Sequence, residues 1–176
     1  MSKRLGAIAT IFALAAYMAA PIAAFAQAAS LTSDQLQAIS ANCDNIKVSL
    51  NQLDRTDTVA RINRGRDYDQ VLMQITAFDN RLAHNKIDTS EFAQVATLLQ
   101  ASVDQFRAEY NTYENQLSVA AGADCKSKPL DFYADLVKAR ESRSAVAGQV
   151  ATIASVMADY RSVVSKYQAA LQGAAQ

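Results

Sequence analysis

The chain has 176 residues, a length for which one domain is the default. Only 5 glycines, 2 prolines and no tryptophan, in a sequence rich in Ala, Gln, Leu and Val, argue for helices and against a sandwich or a doubly wound sheet. Seventeen basic residues balance 17 acidic ones, and such a mixed surface lacks the basic face that nucleic-acid binding needs.

Lys3 and Arg4 open a short basic region, and Leu5 to Ala20 carries no charge. Pro21 then interrupts the apolar run, and Ala24-Phe25-Ala26 offers a small-x-small cleavage site. Residues 1–26 therefore read as a secretory signal peptide, with an uncleaved membrane anchor as the alternative. Without Lys3 and Arg4 the balance becomes 15 basic against 17 acidic, a net charge of −2. Residues 27–176 are expected to form a single exported domain, periplasmic or extracellular.

Thr32-Ser33-Asp34-Gln35 fits a capping box, in which a hydroxyl meets the first free amides and a glutamine reaches back. Leu36, Ile39, Cys43, Ile46, Leu50 and Leu53 follow at alternating spacings of three and four, which is a heptad seam. The seam falters across 54–67 and resumes at Tyr68, Val71, Leu72, Ile75, Phe78 and Leu82. After a polar connection, Asp88 is placed to cap a second helix with Phe92, Val95, Leu99, Val103, Phe106, Tyr110, Tyr113 and Leu117 on one face. Gly122 should end that helix, and Pro129 suits the first turn of the next. Val150, Ile153, Met157, Tyr160, Val164, Tyr167 and Leu171 give the last helix the most regular seam in the chain.

Cys43 and Cys125 form an even pair in the exported part, which in an oxidising compartment suggests one disulfide. Two free thiols or an intermolecular bridge are the alternatives. The bridge bears on the fold. An antiparallel pairing about the turn near residue 86 leaves Cys43 about 13 Å above the level of the linker, which Cys125 can climb. Reversing the chain at Asp54–Asp57 would instead drop Cys43 roughly 25 Å below it, beyond a disulfide's reach of about 7 Å. The expected fold is an all-α, elongated antiparallel three-helix bundle or coiled coil, with helices at about 33–84, 89–120 and 129–172. A four-helix bundle broken near Asp54–Asp57 is the alternative.

No nucleophile motif, phosphate-cradling glycine loop or His–carboxylate metal spacing occurs, so no catalytic residue, cofactor or metal is expected and the protein reads as non-enzymatic. The single histidine, His84, sits at a polar connection and reads as a solvated residue. The unusual stretch is Arg61-Ile62-Asn63-Arg64-Gly65-Arg66-Asp67-Tyr68, where polar residues take positions that should face the bundle. The register sets it level with Arg107, Glu109, Tyr110, Tyr113 and Glu114, and with Lys138, Arg140, Glu141 and Arg143. Arg61, Arg64, Arg66, Glu109, Tyr110, Tyr113, Arg140 and Arg143 are thus expected to form a polar layer. One reading is a register-fixing ionic layer, with Gly65 allowing close helix approach. The other is a site for a small anion, because guanidinium forks suit carboxylate and phosphate.

Two resemblances accompany these residues. Leu31-Thr32-Ser33-Asp34-Gln35 resembles one copy of the Leu-Thr-x-x-Gln signature that Spy-like periplasmic chaperones carry twice. Arg61, Asn63, Gly65, Arg66, Tyr68, Asn80-Arg81-Leu82, Asp124-Cys125, Pro129, Phe132-Tyr133, Leu136, Ala139-Arg140, Arg143 and Val146 are similar to positions in uncharacterised exported helical proteins of ultrasmall candidate-phylum bacteria. That resemblance implies export and a helical fold, and brings no activity. The functional expectation is a helical scaffold or interaction protein of the cell envelope, with an unknown protein partner and possible oligomerisation. A Spy- or Skp-like chaperone and a small-anion binding module are the alternatives.

Overall fold

A computed structural model describes residues 31–173. The signal peptide expected over 1–26 lies outside them. Four α-helices pack together: α1 (Ser33–Ala41), α2 (Cys43–His84), α3 (Ser90–Gly122) and α4 (Pro129–Gly173). None of them is long and apolar enough to cross a membrane.

The helix expected over 33–84 is two helices. Asn42 alone separates them, with φ −101° and ψ 11°, while its side-chain amide donates to the Ala38 carbonyl at 2.8 Å. An asparagine that satisfies the end of the preceding helix in this way competes with helix continuation. The count is therefore that of the four-helix alternative, with the break at Asn42 in place of Asp54–Asp57. Residues 54–67 are helical throughout, inside α2.

The ends of the helices follow local chemistry. Thr32 and Gln35 complete the capping box on α1: the Gln35 amide donates to Thr32 Oγ1 at 3.3 Å, and the Thr32 amide donates to Gln35 Oε1 at 2.9 Å. At the end of α2 the Ile87 amide reaches the Leu82 carbonyl at 3.1 Å, and the Lys86 amide reaches Ala83 at 3.0 Å. This paired pattern requires a left-handed residue, and Lys86 takes it at φ 59° where glycine is usual. Thr89, not Asp88, occupies the cap position of α3, and Asp88 accepts from the Ser90 amide at 2.9 Å instead.

α3 is the central element. Phe92, Val95, Leu99, Val103, Phe106, Tyr110, Tyr113 and Leu117, the whole stripe read from its spacing, are buried. α2 and α4 lie on either side of α3 and run antiparallel to it, as the pairs Asp57–Tyr113, Phe78–Phe92 and Phe92–Tyr160 require. α2 and α4 do not touch at the backbone: among the described residues no Cα of one comes within 8 Å of a Cα of the other. The seam of α4 is mostly covered, with an exposed edge. Ile153 is buried, whereas Val150, Met157, Tyr160, Val164 and Tyr167 keep part of their surface exposed.

Cys43 and Cys125 are joined in a disulfide, with Cα atoms 5.5 Å apart. It ties the start of α2 to the loop before α4, where Ser40 Oγ donates to the Lys126 carbonyl at 2.9 Å and Lys126 Nζ pairs with Asp44 at 3.0 Å.

Candidate functional site

Asp57 is the node of the polar layer. Its Oδ2 accepts from the Tyr113 hydroxyl at 2.7 Å and from Arg143 Nε at 2.9 Å, and its Oδ1 accepts from the Arg143 Nη2 at 3.2 Å. The backbone carbonyl of the same residue accepts from the Tyr110 hydroxyl. One turn of α2 therefore holds both buried phenols of α3 and one guanidinium of α4. A turn further along, Arg61 pairs with Glu114 at 3.2 Å and lies over the Tyr110 ring, 5.5 Å from its centroid. Thr58 Oγ1 donates to the other oxygen of Glu114 at 3.4 Å.

These groups are placed by the period of α2. Asp57, Arg61, Arg64 and Tyr68 stand four, three and four residues apart, which continues the heptad seam with polar side chains. Tyr68 closes the layer by packing edge-on against Phe106 at 5.4 Å.

The electrostatics follow from burial and from Asp57. Burial first, then the negative charges of Asp57 and Glu114, push the Tyr110 phenol up to about 12. Burial, with the hydrogen bond to Asp57, raises Tyr113 as well. The hydrogen bond to Asp57 raises Arg143 and keeps it charged. The phenols therefore act as neutral donors at physiological pH. No charged residue is fully buried among those described: 17% of the Asp57 side chain and 54% of Arg143 remain exposed. The layer is partly solvated.

A cleft of about 440 Å³ opens above the layer between α2 and α4. Asp57, Arg64, Tyr110, Tyr113, Arg140 and Arg143 line it. Five of the eight residues expected from the sequence, Arg64, Tyr110, Tyr113, Arg140 and Arg143, thus meet at one place. Arg64 and Arg140 have no acidic partner among the described residues, so both guanidinium groups are available to a ligand.

Three expected members stand elsewhere. Arg61 belongs to the opposite edge of the layer, with Glu114. Arg66 lines a separate cleft between α2 and α3, beside Asp69 and Arg107. Glu109 accepts from Gln105 at 2.7 Å on its own helix and takes no part. Gly65 does not serve a close helix approach either, since a Cβ added there would meet nothing within 4 Å. Asp57 is the member that sequence reasoning missed. The signal was available in its spacing from Arg61 and Arg64, but the crowding of charges at 54–57 reads equally as a turn.

Two apolar wells lie between α2 and α4, one on each side of the arginine cleft along the chain. One lies at Ile46, Leu50, Leu53, Leu117 and Leu136, and the other at Phe78, Tyr160 and Val164. Comparison with protein-family models, curated proteins and solved structures finds no match.

Proposed function

We propose that this chain is an exported, non-enzymatic interaction protein of the cell envelope that presents the groove between α2 and α4 to a protein partner. The observation that carries this reading is the separation of α2 from α4. Two helices flank a third and meet each other through side chains such as Arg143 and Asp57, with no Cα of one within 8 Å of a Cα of the other among the described residues. The α4 seam keeps part of its surface exposed at Val150, Met157, Tyr160, Val164 and Tyr167. The exposed edge of such a seam is surface available for association. The lining fits such a role, with apolar wells at both ends and charged groups in the middle. Export is the expectation from residues 1–26.

The test is position-specific photo-crosslinking in the native envelope. A photoreactive residue at Ala147, in the groove, should yield a discrete adduct. The same residue at Val119, an exposed position of α3 that lines none of the clefts described, should not. Equal adducts from both positions, or none from either, would remove the groove as the working surface.

The small-anion alternative has its own supporting observation, the open cleft at Arg64 and Arg140. It leaves the two apolar wells without a role, so it ranks second. The chaperone alternative needs a contiguous apolar face. Val48, Val59, Ile62 and Met73 are exposed on α2, but Arg55, Arg66 and Asp69 lie among them around the helix.

A further inference from the structure

The geometry points to an acidic amphipathic helix as the occupant of the α2–α4 groove, with its carboxylates seated on Arg64 and Arg140. This inference rests on the interaction reading above and names the chemistry of the partner.

Three features of the groove select that occupant. The first is sign. Four arginines line it, Arg64, Arg81, Arg140 and Arg143, against the single carboxylate of Asp57. Asp57 is already engaged by Arg143 and Tyr113, which leaves the field at the centre positive. Arg64 on α2 and Arg140 on α4 both line the cleft, on opposite sides of the Asp57 level, and neither has an acidic partner among the described residues. A guanidinium fork matches a carboxylate in two parallel hydrogen bonds, so one or two Glu or Asp side chains complete this pair.

The second feature is spacing. On α2 the first well lies at Leu50, the arginine cleft spans Asp57 to Arg64 and the second well lies at Phe78, so the cleft stands between two wells 28 residues apart. The two wells are thus four heptads, about 42 Å, apart along the axis. A helix laid along the groove repeats at the same period. It therefore places apolar residues in both wells while its central carboxylates meet the arginines.

The third is extent. A free phosphate or dicarboxylate fills the central cleft alone and leaves both wells exposed to water. A helix covers all three, and burial of the wells adds to the ion pairs. The period and the apolar flanks together favour a helix over a small anion.

The experiment uses the purified chain with its disulfide intact and three fluorescent synthetic helices. Their apolar flanks are identical, and their two central positions are Glu, Gln or Lys. Fluorescence anisotropy should show the Glu helix binding about tenfold or more tighter than the Gln helix, with a preference that shrinks as salt rises. Arg64→Gln with Arg140→Gln should erase that preference. Arg64→Glu with Arg140→Glu should transfer it to the Lys helix. Neither pair makes a hydrogen bond or ion pair within the described chain, so circular dichroism and melting of these variants should match the parent. Equal binding of the Glu and Gln helices would overturn the acidic specificity and leave the interaction reading intact. If no helix binds, while phosphate or succinate raises the melting temperature in an Arg64-dependent manner, the groove serves a free anion and both readings fall. If nothing binds and nothing shifts the melting temperature, this inference fails, and crosslinking at Ala147 decides the interaction reading independently.

Discussion

Replacing Asp57 by alanine is the most informative perturbation of the layer. Tyr113 is 2% exposed, and its hydroxyl donates to Asp57 alone. Losing that acceptor strands a buried donor, which costs about 1–3 kcal/mol. Arg143 loses two charge-assisted bonds but is half exposed, so water replaces them and the cost is ~0–1 kcal/mol. Tyr110 is unaffected, because its acceptor is the Asp57 backbone carbonyl. Alanine recovers up to about 0.7 kcal/mol of helix propensity at this position inside α2. The net expectation is a loss of about 2 kcal/mol, read as a fall in the urea midpoint at constant slope. Asp57→Asn keeps an acceptor for the phenol and should lose about half as much. Tyr113→Phe combined with Asp57→Ala should fall short of the sum of the two, since both remove the same bond. Glu109→Ala should stay within about 0.5 kcal/mol, as for a surface position with no partner across the bundle. An Asp57→Ala variant as stable as the parent, or a Glu109→Ala variant that loses more, would refute the assignment of Asp57 as the node.

Removing the bridge by Cys43→Ala with Cys125→Ala should cost up to about 4.5 kcal/mol in the chain-entropy model, and amide exchange should quicken first at α1 and the 123–128 loop. Gly65→Ala should raise stability by about 0.5–1 kcal/mol, because a methyl group there meets open space inside a helix, and a thermal melt will read the gain. Lys86→Gly should add about 1 kcal/mol by removing the left-handed strain at the end of α2, measured in the same way. Stability should also fall as pH climbs from 10 toward 12. The unfolded chain ionises its phenols near 10, whereas the folded chain holds Tyr110 up to about 12, so the unfolded state sheds its protons first. Tyr110→Phe should flatten that fall in a pH series of urea titrations.

The parts of the fold that were legible in the sequence are those where one face is fully covered. The α3 stripe from Phe92 to Leu117 has eight positions at helical spacing, and all eight are buried. A helix surrounded by partners imposes its period without ambiguity. The break at Asn42 was hidden because Ile39, Cys43 and Ile46 carry the seam across it, and only the Asn42 side chain, bonded back to Ala38, betrays the end of α1. The layer was half legible for a similar reason. Register gives the level of a residue along the bundle but not its angle around the helix. Glu109 and Glu114 are both level with Arg61, yet Glu114 lies within about 40° of Tyr110 around α3 and Glu109 about 100° away. That rotation decides which of the two meets Arg61. The separation of α2 from α4 could not be read at all, since a heptad seam requires a cover but does not name it.

The polar layer bridges that separation. At the level of Asp57 the space between α2 and α4 is spanned by long side chains: Arg143 reaches from α4 to α2, and Tyr110 and Tyr113 rise from α3 to meet the same turn. Guanidinium and phenol groups are longer than leucine and valine side chains and so reach across the wider gap. Each of them finds an acceptor on the same turn of α2. A layer that sets register and a layer that receives a ligand are therefore not competing descriptions. Asp57 and Arg143 bridge α2 and α4, and Arg64 and Arg140 line the cleft beside that bridge without acidic partners of their own among the described residues.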